Sequence, residues 1–195
     1  MTQYQQLYTG VSRAAWGYLF VYLDLKLGNV SILPSFVGIF LFLSCVDLLE
    51  EFRRDLALLR PLGRILALWH IGSWLASWFG VTLDAYFSIL PLMIRLASLY
   101  FHFQLLTDLA GLAMVYQKED SALDRRILKW RTLHTLLLTA MALIPYPLEY
   151  APDWQSFFLT GLAMFGVFTG FCIMAALFDL RLLFRETNDT SIPPS

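Results

Sequence analysis

A chain of 195 residues with 58% hydrophobic, 16% aromatic and only 15% charged residues is too apolar for a soluble domain, in which about a quarter of residues are charged. A formal charge of −1, with no solvated basic patch interleaved with aromatics, excludes a nucleic-acid-binding surface. The composition predicts an all-α, polytopic transmembrane helical bundle whose solvent is the lipid bilayer.

The opening Met1-Thr2-Gln3-Tyr4-Gln5-Gln6 has no basic cluster, and no small-residue cleavage site follows the first apolar run, so that run is expected to be retained. It spans 11–25, and at about 1.5 Å per residue covers only some 20 to 23 Å of a roughly 30 Å core. Arg13 can snorkel to the inner surface, while Asp24 and Lys26 mark the outer one. Gly28-Asn29 turns the chain into a second span, 32–49, which ends in Glu50-Glu51-Phe52-Arg53-Arg54-Asp55. Further spans are expected at 62–83, 86–116, 133–148 and 154–184. They form one domain, 1–186, and 187–195 is expected to be a disordered cytoplasmic tail in which the sequon Asn188-Asp189-Thr190 is a chance match.

Basic residues set the orientation. Arg13, Arg53, Arg54, Arg60, Arg64, Lys118, Arg125, Arg126, Lys129, Arg131, Arg181 and Arg185 fall on one face, twelve of the fourteen Lys and Arg residues. Both termini are therefore expected to be cytoplasmic. The opposite face is short-looped, with Asp24, Asp84, Glu149 and Asp153 beside Tyr86, Tyr146, Tyr150 and Trp154, as in an interfacial aromatic belt. Pro145 and Pro147 break the end of the fifth helix.

Ser31-Ile32-Leu33-Pro34 and Ser88-Ile89-Leu90-Pro91 are identical tetrapeptides, and each opens a span that ends in an Asp-Leu pair, Asp47-Leu48 and Asp108-Leu109. A third pair, Asp179-Leu180, closes span six. The pattern reads as three helical hairpins in one orientation, with proline pre-set in a first helical turn. Chance in a Leu-rich chain is the competing reading, since the Pro-to-Asp spacing is 13 in one copy and 17 in the other.

Trp16-Gly17-Tyr18-Leu19-Phe20-Val21-Tyr22-Leu23-Asp24-Leu25-Lys26-Leu27-Gly28, followed by Ile32-Leu33-Pro34-Ser35-Phe36-Val37-Gly38, resembles the opening hairpin of a group of small uncharacterised integral membrane proteins of Firmicutes. The resemblance covers about the first third of the chain, and Ser35 stands where that group has an acidic residue. It implies a bacterial inner (plasma) membrane and no particular chemistry.

Arg95, His102 and Asp108 lie about 6, 16 and 25 Å beyond Pro91 along a helix, which puts only His102 near the midplane. At 100° per residue Arg95 and His102 share a face with Ser98 and Leu99, whereas Gln104, Asp108 and Gly111 line the other side. An arginine in a helix centre costs about 2.5 to 3.5 kcal/mol on insertion scales, so Arg95 should face the bundle or snorkel outward to Asp84, Glu149 or Asp24. A structural clamp competes there with contact to a ligand anion. His102 reads as an interhelical hydrogen-bonded histidine, or as a proton relay or ligand contact. On span three, His70, Ser73, Trp74 and Ser77 share a face beside a ridge of Gly72, Ala76 and Gly80, read either as helix packing or as a cavity lined by Trp74 and His70. Gly166 and Gly170 form a GxxxG packing motif, and His134, near Arg131, is expected to be solvated at the inner boundary. The candidate ligand-binding set is thus Arg95, His102, His70, Trp74, Asp84 and Glu149, with Asp47, Asp108 and Asp179 as structural polar groups.

No HExxH, CxxC, phosphate loop or GxSxG is present, so no catalytic residue, metal site or cofactor is expected. Cys45 and Cys172 read as small packing residues. Glu50-Glu51 is similar to the paired glutamates of CPBP-type intramembrane proteases, but lacks their spacing to arginine and their histidines at membrane depth. Two functions remain: a small-solute binding or transport bundle, and a non-catalytic accessory protein that contacts a membrane-protein partner. Six spans with both ends inside is also the layout of the vitamin-binding S-components of energy-coupling-factor transporters, whose AxxxA coupling pattern span one lacks.

Overall fold

A computed structural model describes residues 2–22, 26–27, 30–31, 35–81, 83, 87, 89–117, 121–143 and 153–191. Among them are six α-helices: α1 (Gln3–Tyr22), α2 (Ser35–Leu49), α3 (Leu59–Trp78), α4 (Leu90–Tyr116), α5 (Leu123–Leu143) and α6 (Asp153–Ser191). The all-α class is the one composition predicts. A 3-10 turn, Arg54–Leu58, leads into α3. Between α1 and α2, β1 (Lys26–Leu27) and β2 (Val30–Ser31) pair antiparallel with Leu27 opposite Val30, the register of a hairpin closed by a two-residue loop.

Each helix packs against the next in sequence, and α6 returns to pack on α1, which closes a ring. Neighbours run antiparallel. Asp47 near the end of α2 meets Arg60 at the start of α3, Thr107 of α4 meets Arg131 of α5, and Arg126 of α5 meets Asp179 late in α6. The start of α1 and the ends of α4 and α6 therefore gather at one end of the bundle. There Gln3 Nε2 donates to the Tyr116 hydroxyl at 2.9 Å, and the Tyr4, Tyr116 and Phe184 rings pack edge to face. Among the described residues, Arg53, Arg60, Arg126 and Arg185 lie toward this same charged end.

Several boundaries differ from the expected spans, each for a local reason. α1 starts at Gln3 because Leu7, Val11, Ala14 and Tyr18 form a buried stripe at three- and four-residue spacing, which extends the helix through its polar first turns. α3 ends at Trp78. Gly80 has φ +68°, its N–H donates to the Ser77 carbonyl, and the Val81 N–H donates to Ala76, a Schellman stop. Gly80 is thus a helix terminator and not the third member of a packing ridge. At Gly72 the nearest atom to an added Cβ is Leu83 Cδ1, at 3.6 Å, so the expected small-residue ridge makes no tight contact there. α1 and α2 approach closely, for a Cβ on Gly38 would stand 2.8 Å from the Gly17 carbonyl oxygen. α5 begins at Leu123, ten residues before the expected span, and carries the charged stretch as helix. α6 continues to Ser191, so the expected tail of 187–195 is helical through that residue. Pro91 sits in the first turn of α4 as expected; Pro34, Pro145 and Pro147 lie outside the described residues.

Among the described residues, one helix is long and apolar enough to cross a membrane, Phe157–Thr187 within α6; Ser35–Leu49 is a shorter apolar helix. By length and apolarity alone the six expected spans reduce to one. At about 1.5 Å per residue α2 is about 22 Å long, and the others carry polar groups: Arg13 in α1, Arg60 and Arg64 in α3, Arg95 and Asp108 in α4, and five charged residues between Asp124 and Arg131 in α5. The outer surface is nonetheless apolar. Phe79 is 84% and Phe157 83% exposed, and Leu68, Trp78, Met93, Met114, Leu136 and Met164 face outward with them.

Candidate functional site

Tyr18 and Tyr22 are one helical turn apart on α1 and present stacked rings to the bundle interior, with centroids 6.2 Å apart. Each meets a histidine from another helix. The Tyr18 hydroxyl lies 3.3 Å from Nδ1 of His102 on α4, whose ring also packs edge to face on Phe42 of α2. The Tyr22 hydroxyl is bonded to Nε2 of His134 on α5, and His134 Nδ1 lies 2.7 Å from the Thr169 hydroxyl of α6. Because Thr169 donates its own proton to the Gly166 carbonyl at 2.8 Å, it can only accept from His134. That assigns the proton of His134 to Nδ1 and makes Tyr22 the donor to Nε2.

The third histidine of the chain, His70 on α3, has Nδ1 3.0 Å from the Ser35 hydroxyl of α2. His102 and His134 meet adjacent turns of α1. The three histidines come from successive helices, and each is joined to a hydroxyl of another helix. Their rings do not form a metal centre: among the described residues no three His, Cys, Asp or Glu side chains converge. The arrangement holds ring nitrogens and hydroxyls as alternate donors and acceptors inside an apolar bundle, which can pass a proton or hydrogen-bond a small polar molecule.

His134 is 2% exposed, which corrects the expectation that it is solvated. Gly170 explains the site's geometry on α6, since a Cβ there would stand 2.4 Å from the Tyr22 ring. The GxxxG motif is a packing device, as expected, with the Tyr22 ring against Gly170 and Leu137 against Gly166. Of the other expected ligand residues, Trp74 packs on Phe36 and Trp78, one turn from His70. Arg95 is exposed, two turns from His102, and does not join the histidines. Asp84 and Glu149 lie outside the described residues. Tyr18, Tyr22, Ser35 and Thr169 were not among the expected site residues; the tyrosine pair at i, i+4 in a short apolar helix is the signal that marks them.

The three Asp-Leu carboxylates each meet an arginine at the charged end. Asp47 takes a 2.8 Å bond from Arg60, and Asp179 a 2.6 Å bond from Arg126, both near the surface. Asp108 is 1% exposed; Gln104 Nε2 donates to it at 3.1 Å and Arg53 Nη2 lies 3.8 Å away. Arg53 reaches it by lying across Gly111, where a Cβ would stand 2.2 Å from Nη2. The face of Gln104, Asp108 and Gly111 expected on α4 is therefore real, and a loop arginine completes it. Cys45 is buried, and both cysteines are free.

Comparison with protein-family models, curated proteins and solved structures finds no match.

Proposed function

We propose that this chain is a six-span bundle of a bacterial plasma membrane, with both ends cytoplasmic, that binds or transports a small solute through its histidine layer. The observation that carries the reading is that His70, His102 and His134, the only histidines in the chain, are each hydrogen-bonded across a helix boundary. A layer of donors and acceptors enclosed by apolar helices is costly in a bundle that only needs to pack. Support for the membrane setting comes from the surface, where large apolar side chains such as Leu68, Phe79, Met114 and Phe157 face outward. The antiparallel ring, with Arg53, Arg60, Arg126 and Arg185 at the end where α1 begins and α6 finishes, supports an even number of crossings with Lys and Arg at the cytoplasmic side.

A solute screen by thermal unfolding in detergent tests this. A stabilising solute should lose its effect in His102→Gln and His134→Gln and keep it in Arg95→Ala. A shift that survives both histidine changes, or no shift across the screen, counts against the histidine layer as the site. The accessory-protein reading is supported by an open cavity of about 520 Å³ between α5 and α6 at the charged end, where Arg126, Asp179 and Glu186 face out. Recovery of one reproducible partner by crosslinking in membranes would favour it.

A further inference from the structure

A second cavity, of about 240 Å³, opens between α1 and α6 at the charged end and is lined by Tyr4, Gln5, Tyr8, Phe184 and Arg185. No carboxylate lines it, unlike the larger cavity beside it, where Asp179 and Glu186 balance Arg126. One turn deeper on the same face of α6, Arg181 lays its guanidinium over the rings of Tyr8 and Phe178, at 5.4 and 4.8 Å. Its Nη1 reaches only the Ser12 hydroxyl, at 3.4 Å, and its Nε is buried with no hydrogen-bond partner. A cation held this way by ring faces and one long bond is short of an acceptor. Arg185 and Gln5 on the cavity lining, with Arg181 one turn below, carry donors of the kind a phosphodiester requires. The volume is below the roughly 300 to 1,000 Å³ of sites for whole drug-sized ligands, which suits a headgroup better than a large solute.

We propose that this seam binds the phosphate of an anionic phospholipid, with Arg185 on the cavity and Arg181 one turn below it as its ligands, and the Tyr8 and Phe178 rings holding Arg181 in place. The proposal rests on the membrane reading above, which puts the charged end at the cytoplasmic headgroups, where anionic lipids meet basic seams between helices. Thermal unfolding of the full chain in neutral detergent, titrated with phosphatidylglycerol, phosphatidylcholine or inorganic phosphate, tests it. Phosphatidylglycerol should stabilise the protein and phosphatidylcholine should not. Arg181→Gln and Arg185→Ala should each weaken that effect about tenfold, and Arg64→Ala, the same charge loss on an exposed face of α3, should leave it unchanged. Arg185 is exposed, so its variant decides the matter even where Arg181→Gln fails to fold. An equal response to inorganic phosphate makes this a free-anion site and overturns the lipid assignment, as does an equal loss in Arg64→Ala. A detergent-requiring protein indifferent to phosphatidylglycerol overturns the site alone, whereas a detergent-free monomer overturns the membrane reading and the lipid with it.

Discussion

Tyr22 and His134 are the pair whose separation should cost most among the buried polar contacts. Tyr22→Phe leaves His134 Nε2 buried with nothing to accept from, and an orphaned buried polar group costs about 1 to 3 kcal/mol. Adding His134→Leu removes the orphan and should recover part of that loss, so a double-mutant cycle followed by chemical unfolding should show coupling between the two positions. Additive effects would mean that the bond contributes nothing. Gly170 tests the same region from the other side. A methyl there meets the Tyr22 ring, so Gly170→Ala should destabilise by about 1 to 3 kcal/mol. Gly161→Ala, nine residues earlier on the same helix and with open space around its Cβ, should be neutral or stabilise by up to about 1 kcal/mol. Equal effects at the two glycines would show that the ring contact does not matter.

Helix ends show how single residues set the elements. Gln117 reaches across the turn after α4, and its Oε1 accepts from the N–H groups of Leu123 and Asp124, two of the otherwise unpaired donors at the start of α5. Its Nε2 donates to Asp124 Oδ1 at 2.8 Å and holds that carboxyl below the usual carboxylate range. A folded-state value depressed in this way adds stability above the unfolded value near 3.9 and loses it as pH falls through the folded one. Asp124 is near solvent, so the contribution is small. The direct readout is the Asp124 carboxyl titration by NMR: Gln117→Ala should raise the midpoint toward the ordinary value, and an unmoved midpoint would show that the amide bond has no hold on it. At the other end of the bundle Gly80 stops α3 in the left-handed region, with no side chain within 4 Å of where its Cβ would go. Gly80→Ala should therefore cost about 1 to 2 kcal/mol from backbone strain alone, read by thermal unfolding, and no loss would show that the stop relaxes elsewhere.

At the scale of the whole molecule, the closed ring brings the start of α1 and the end of α6 together, so if the proposed six-span arrangement holds, labels at the two termini should be accessible from one side of the membrane and from that side only. Opposite accessibility would require an odd number of crossings and would remove the six-span reading. α6 is the element to examine first. Its 39 residues extend about 58 Å, roughly twice a hydrocarbon core, so in the proposed membrane setting its last turns would project beyond the lipid.

The all-α class, the collection of arginines at one end, and the polar face of Gln104, Asp108 and Gly111 were legible in the sequence, because each depends on composition or on spacing along one helix. Helix ends were less so: Leu7 to Tyr18 carries α1 back to Gln3, and Gly80 cuts α3 short, through packing and backbone geometry that hydropathy does not register. What only the tertiary structure decided was pairing between helices. His134 is buried and not solvated because Tyr22 and Thr169, 112 and 35 residues away, supply its hydrogen bonds. Arg53 is the partner of a buried carboxylate and not simply a solvated loop charge, because Gly111 leaves room for its guanidinium. A histidine or arginine carries no mark of its partner in its own stretch of chain; the fold supplies the partner, and burial in an apolar interior makes that choice energetically binding.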